Sequence, residues 1–177
     1  MIKKILLGLG ALFVVAALGA GIYTWDPLPK NPKAEDLSAA AATYDVEIIR
    51  DNWGVPHIFG KTDNDAAFGL AYAHAEDDFE TIQETVAATR GVLGRYKGAN
   101  AARTDYLIAL LNVWDTIEAR YDSDVPADVK AYAQAYADGL NLYAAENPDM
   151  TWRGLAPFQP QDIFAGSLFR TPFFYGF

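Results

Sequence analysis

The 177-residue sequence contains no cysteine, which excludes disulfides, thiolate metal sites, a cysteine nucleophile and a lipid-modified cysteine behind an export signal. Histidine is almost as scarce, at two residues, so a histidine-built metal or acid–base centre has little to draw on. Basic residues are outnumbered, 14 against 23 acidic, for a net charge of −9. Lys3 and Lys4 precede the first apolar run, and every acidic residue lies from Asp26 onward. That balance argues against a nucleic-acid or other polyphosphate partner. There is no internal repeat and no low-complexity stretch beyond the alanines at 39–42. What is present, 51% hydrophobic and 21% charged residues, is the composition of a folded domain with a core of its own.

Behind Lys3 and Lys4, residues 5–23 are uncharged and include Leu6, Leu7, Leu12, Phe13, Val14, Val15 and Leu18. Such a segment is expected to engage a membrane, either as a cleaved signal or as an uncleaved anchor. Ala17, Gly19, Ala20 and Gly21 offer only an indistinct cleavage site, so both stay open. With the positive flank inside, everything after Trp25 faces outward: periplasmic, secreted, or anchored to the inner membrane facing the periplasm. The expected layout is a signal or anchor over 1–25, a Pro/Ala-rich tether over 26–42 (Pro27, Pro29, Pro32) and a folded part over 43–177.

Within that folded part, Tyr44 to Arg50 alternates and is β-branched, Asp51 to Gly54 supplies turn chemistry, and Val55 to Phe59 is a second extended run, which together predict a β-hairpin. Thr62 or Asp63 caps a helix through Phe68, Ala71, Tyr72, Ala75, Phe79, Ile82 and Val86, ending at Gly91. A second helical stripe runs from Leu107 to Tyr121. A third, capped by Asp124 with Pro126 in its first turn, runs from Val129 to Tyr143 and stops at Asn147-Pro148. Pro160 and Asp162 open a last apolar segment, interrupted by Pro172, that ends in Phe173, Phe174, Tyr175 and Phe177. Those aromatics are expected to be covered by further chain.

The run Val46-Glu-Ile-Ile-Arg-Asp-Asn-Trp-Gly-Val-Pro-His-Ile-Phe59 resembles the opening of the penicillin acylase family. The likeness continues through Asp65, Phe68-Gly69, Tyr72, Ala75 and Asp77, then Arg90-Gly91 to Gly98, then Tyr136-Ala-Asp-Gly-Leu-Asn141. It departs at Asp78, where the family usually has arginine, and at Arg95, where it commonly has glutamate. The resemblance implies an α+β protein: the N-terminal portion of an N-terminal-nucleophile hydrolase with the α-β-β-α arrangement, mainly helical with an N-terminal hairpin. It also implies a precursor that cuts itself so that a serine begins a large second chain. This sequence would be the small first chain, with no catalytic group of its own, and its missing partner would carry the nucleophile. The implied substrate is a small N-acyl compound, hydrolysed at a linear amide bond. No cofactor is expected on this chain, and calcium is the one the resemblance allows in the complete protein. Leu168, Phe169, Phe173 and Phe174 fall where the family's first chain lines the acyl pocket. The rival readings are a non-catalytic, membrane-tethered protein that binds an acyl ligand or a partner, and a truncated reading frame without function.

Other candidates have plainer explanations. Ser167 follows Gly166 but has only ten residues after it, too few to build a sheet around a nucleophile, so it reads as a small helix residue. His57 is expected to be a hydrogen-bonded core histidine, and neither it nor His74 has a matched carboxylate cluster that would mark a base or a metal ligand. Glu76, Asp77, Asp78 and Glu80 fan around a helix and read as a solvated face. Arg50 and Asp51 point to opposite faces of a strand, so each is expected to pair elsewhere.

Overall fold

A computed structural model describes residues 2–24 and 29–176. Helix α1 spans Ile2–Thr24, with Leu12, Phe13, Val15 and Leu18 exposed. Among the described residues no helix is long and apolar enough to cross a membrane. The side chains of residues 2–7 and 9, on which the expected membrane segment partly rests, lie outside the described ones, as do residues 25–28 at the start of the expected tether.

The rest of that tether is structured. Residues Ala34–Ser38 form α2 and Ala41–Thr43 a single 3-10 turn. Leu37 is buried in the main core, and Asn31 accepts a hydrogen bond from the Gly154 amide at 2.7 Å. Proline prevents strand pairing here but not packing, and one leucine is enough to anchor a short helix.

The hairpin is present, with β1 Val46–Arg50 antiparallel to β2 Pro56–Gly60 and Ile48 opposite Ile58. The Asp51 carboxylate accepts the amides of Trp53 and Val55 at 2.8 and 3.0 Å, and Gly54 adopts φ +82°, which closes the five-residue loop. Strand parity sends Val46 and Ile48 toward the helix that follows the hairpin, where Val46 and Ile58 leave room at Gly69 for hydrogen only. The same parity turns His57 outward, where its Nε2 lies 3.4 Å from Asp51. The core position expected for His57 is therefore wrong: on β2 it is Pro56 and Ile58 that face inward.

Helix α3, Asp63–Thr89, opens with a capping box in which Thr62 and Asp65 satisfy one another. It is two helical stretches meeting at Asp78 (φ −157°, ψ 70°). The Asp78 carboxylate accepts the Thr81 amide at 3.1 Å and so caps the second stretch. An acidic residue at this position begins a new turn. After the short α4, Gly94–Lys97, the stripe expected as one helix is two, α5 Ala102–Leu110 and α6 Val113–Asp124. Asn112 breaks it in the left-handed region at φ 52°, a conformation asparagine tolerates better than most residues. Helix α7, Ala127–Glu146, starts from Pro126, and Asp124 belongs to the end of α6 instead of capping α7.

The main core forms where α3 and α7 meet over Ala71, Ala75, Leu140, Tyr143 and Ala144, with Phe79 edge-on to Tyr143 and Phe158 at 4.9 and 5.7 Å. Small residues let the two backbones close up, and the aromatics fill the wider ends. Asn141 and Gln83 are buried, and each is matched to the 150–158 loop. Asn141 exchanges two bonds with the backbone of Phe158 (2.8 and 2.9 Å). Gln83 donates to the Met150 carbonyl and accepts from the Trp152 amide. Loops with buried backbone need such partners.

Two carboxylates, one in the hairpin loop and one in the first turn of α3, set an acid limit. Asp65 is held below the usual carboxylate range first by the Asp45 amide and then by Thr62, and Asp51 first by the Val55 amide and then by Trp53. A depressed folded-state pKa adds stability that is present above the unfolded value of about 4 and is lost as pH falls through the lower folded value. The melting temperature is expected to fall from pH 5 to pH 3, and Asp65→Asn to flatten that slope while lowering stability at pH 7.

Candidate functional site

Helix α8, Pro160–Phe174, buries Ala165 but leaves Ile163, Phe173 and Phe174 exposed. Pro160 sits at the first helical position, and Asp162 accepts the Gln159 amide at 2.8 Å. Pro172 does not interrupt the helix as expected. It lies in the last turn, with only Phe173 and Phe174 of the helix after it.

What orients α8 is Arg90, just past the end of α3. Its guanidinium forks onto Asp162 with two contacts of 2.7 Å and donates to the carbonyls of Leu155 and Pro157 at 2.6 and 2.8 Å. The Asp162 side chain is 5% exposed and that of Arg90 18%. A second small core of Ile108, Val113, Ile117 and Ala165 holds the other flank of α8 against α5 and α6.

Two clefts follow from this seating. One, of about 350 Å³, lies between α3, α7 and α8 and is lined by Ile82, Val86, Leu140, Ile163, Gly166 and Arg170. The other, of about 320 Å³, lies between α6 and α8 beside Ile117, Tyr121, Phe164 and Leu168. Tyr136 borders the first cleft, where burial pushes its phenol up and its hydroxyl lies 3.0 Å from His74 Nδ1.

The four residues expected at the acyl pocket do not share one cleft. Leu168 walls the α6–α8 cleft. Phe169 packs half-buried against the second core and edge-on to Phe173 at 5.4 Å. Phe173 is 51% and Phe174 82% exposed. The first cleft is lined instead by residues 163, 166, 167 and 170 of α8, a spacing of three and four along one helix face that the sequence displays but that aromatic content drew attention away from.

No nucleophilic constellation forms among the described residues. The Ser167 hydroxyl donates to the Ile163 carbonyl at 3.2 Å, an ordinary helix back-bond. His57 and His74 sit on separate elements with the separate partners already named. Of the acidic run, Glu76 and Asp77 both reach Arg50 at 2.9 Å, and Glu80 pairs with Lys97. Arg50 thus pairs with another segment, as expected. Among the described residues no group of three or more histidine, aspartate or glutamate side chains converges as a cation site.

The penicillin amidase family profile matches residues 45–169, from the residue before β1 well into α8. The chain belongs to the penicillin amidase family. Its relatives include acyl-homoserine lactone acylase QuiP of Pseudomonas fluorescens, 28% identical over 85% of this chain and 19% of that protein. Penicillin acylase 2 proenzyme of a Pseudomonas species is 29% identical over 64% of this chain and 15% of that protein. Among solved structures, thermostable penicillin G acylase from Alcaligenes faecalis superposes with a TM-score of 0.60 at 22% identity, over 72% of this chain and 74% of that one. This penicillin amidase chain thus has the fold of its relatives, mostly helical with a short antiparallel hairpin, and spans about a fifth or less of the length of the curated proteins it matches. Leu168 and Phe169 close the matched stretch, and Phe173 and Phe174 lie beyond it.

Proposed function

We propose that this chain is the small first chain of an amidohydrolase that cleaves a linear N-acyl amide, with its nucleophilic serine beginning a larger second chain encoded after Phe177. The observation that carries this reading is a contrast in length. The family proteins, one of them a proenzyme by name, are more than five times longer than the stretch matched here, whereas the acylase chain in the solved structure is close to this one in size. A long precursor divided into a short and a long chain accounts for both. In such an enzyme the free α-amine of the terminal serine, less basic than a lysine, takes the proton from its own hydroxyl as the oxygen attacks the amide carbonyl. Donors on the large chain stabilise the oxyanion. The first chain contributes walls, with the α6–α8 cleft beside Leu168 facing the acyl group. The uncharged stretch behind Lys3 and Lys4 supports export of the whole, with the folded part outside the cytoplasmic membrane.

Mass spectrometry of the protein expressed together with the reading frame that follows Phe177 tests this. The expected result is two polypeptides, the second with serine at its amino terminus; one undivided product, or none beyond this chain, contradicts it. Ser167→Ala in the same preparation is expected to leave amide hydrolysis within about twofold of the parent. Abolished activity in a folded variant would place the nucleophile on α8.

A further inference from the structure

Glycine inside a helix is unfavourable unless something needs the space. Two helical glycines of the core have that reason: a Cβ at Gly69 would meet Val46 at 2.6 Å, and one at Gly139 would meet the Phe68 carbonyl at 2.3 Å. Gly166, in the middle of α8, has none within the chain, because a Cβ there would meet nothing within 4 Å. It opens onto the α3–α7–α8 cleft, one turn before Arg170 and one turn after Ile163. Of the two charged residues lining that cleft, Asp162 is taken by Arg90, while the Arg170 side chain makes no hydrogen bond or ion pair among the described residues.

We propose that the Gly166 face of α8 seats an apolar segment of the larger partner chain, and that a carboxylate on that segment pairs with Arg170. This rests on the two-chain reading above. An unpaired guanidinium at the mouth of an apolar cleft selects an occupant that is apolar with one acidic group. The exposed Phe173, Phe174 and Tyr175 continue the apolar surface beyond the cleft, giving more area than a small ligand covers and the kind of surface a protein partner buries. The relatives carry more than four fifths of their length outside the stretch matched here, which supplies such a segment.

The test uses the protein expressed with its downstream reading frame, carrying a photo-crosslinking benzophenone side chain in place of Gly166 or, separately, in place of Phe174. The open space at Gly166 admits the probe without disturbing the helix. Illumination at position 166 is expected to join this chain to a peptide of the large chain that contains aspartate or glutamate among apolar residues. Arg170→Glu is expected to lower recovery of the two-chain protein about tenfold or more, and reversing the crosslinked acid to lysine to restore it. A crosslink from position 174 to the large chain with none from 166 overturns the seat while leaving the two-chain reading intact. Absence of a large chain from the preparation overturns both. A crosslink from 166 to a second copy of this chain, or to a small acyl molecule, overturns the proposal, as does full recovery of Arg170→Glu.

Discussion

Gly139→Ala is expected to destabilise the fold by about 3 kcal/mol or more, although the same exchange in an open helix stabilises by about 0.5–1 kcal/mol. The added carbon would lie 2.3 Å from the Phe68 carbonyl oxygen and 2.9 Å from the Ala71 side chain. Neither neighbour can step aside, since the first is backbone of α3 and the second is fully buried in the main core. The only relief is for α3 and α7 to separate, which loosens contacts along the length of both helices. Gly166→Ala is the matched control: it is also mid-helix, but with open space around the new carbon, and it is expected to raise stability by about 0.5–1 kcal/mol. Urea unfolding of the two variants side by side measures both signs. Equal effects at the two positions would refute the close approach of α3 and α7.

Arg90→Ala is expected to cost about 3–5 kcal/mol, the range for removing one partner of a buried ion pair. The loss is larger than the pair alone suggests, because the same guanidinium satisfies the carbonyls of Leu155 and Pro157. Asp162 would be left buried with the Gln159 amide as its remaining donor. Arg90→Lys is expected to recover less than half of this, since an ammonium cannot fork onto the carboxylate and reach two carbonyls at once. Combining Arg90→Met with Asp162→Leu removes the stranded charge and is expected to be more stable than Arg90→Ala. Urea midpoints read all three variants. If Arg90→Ala costs no more than an exposed ion pair, about 1 kcal/mol or less, Arg90 is not what seats α8.

These two positions also mark how far the sequence could be read. The hairpin, the start of α3 at Thr62 or Asp63 and the start of α8 were legible because each is a local pattern: alternation around a turn, a capping side chain ahead of an apolar stripe, a proline at a first turn. Gly139 and Arg90 stand in the stretches that carry the family resemblance, yet their reasons are non-local, a backbone 71 residues earlier and a carboxylate 72 residues later. The break at Asn112 was missed because the apolar stripe keeps its helical spacing across it, and periodicity does not register a single left-handed residue. Leu37 was missed because one buried side chain leaves no period at all. At the site, the sequence pointed to α8 through its aromatics, while the cleft is lined by the less conspicuous face of Ile163, Gly166 and Arg170. Size and hydrophobicity show that a helix has something to bury but do not show which of its faces meets a cavity.

The measurement that bears most directly on the account is amide hydrolysis by two preparations, this chain alone and the protein expressed with the reading frame that follows it. Both are assayed against a panel that includes an acyl-homoserine lactone, a penicillin and simple N-acyl anilides. The account predicts turnover of at least one N-acyl amide by the longer preparation and none by this chain alone. Turnover by this chain alone would place a nucleophile within these 177 residues and contradict the account, as would a folded two-chain protein that cleaves no member of the panel.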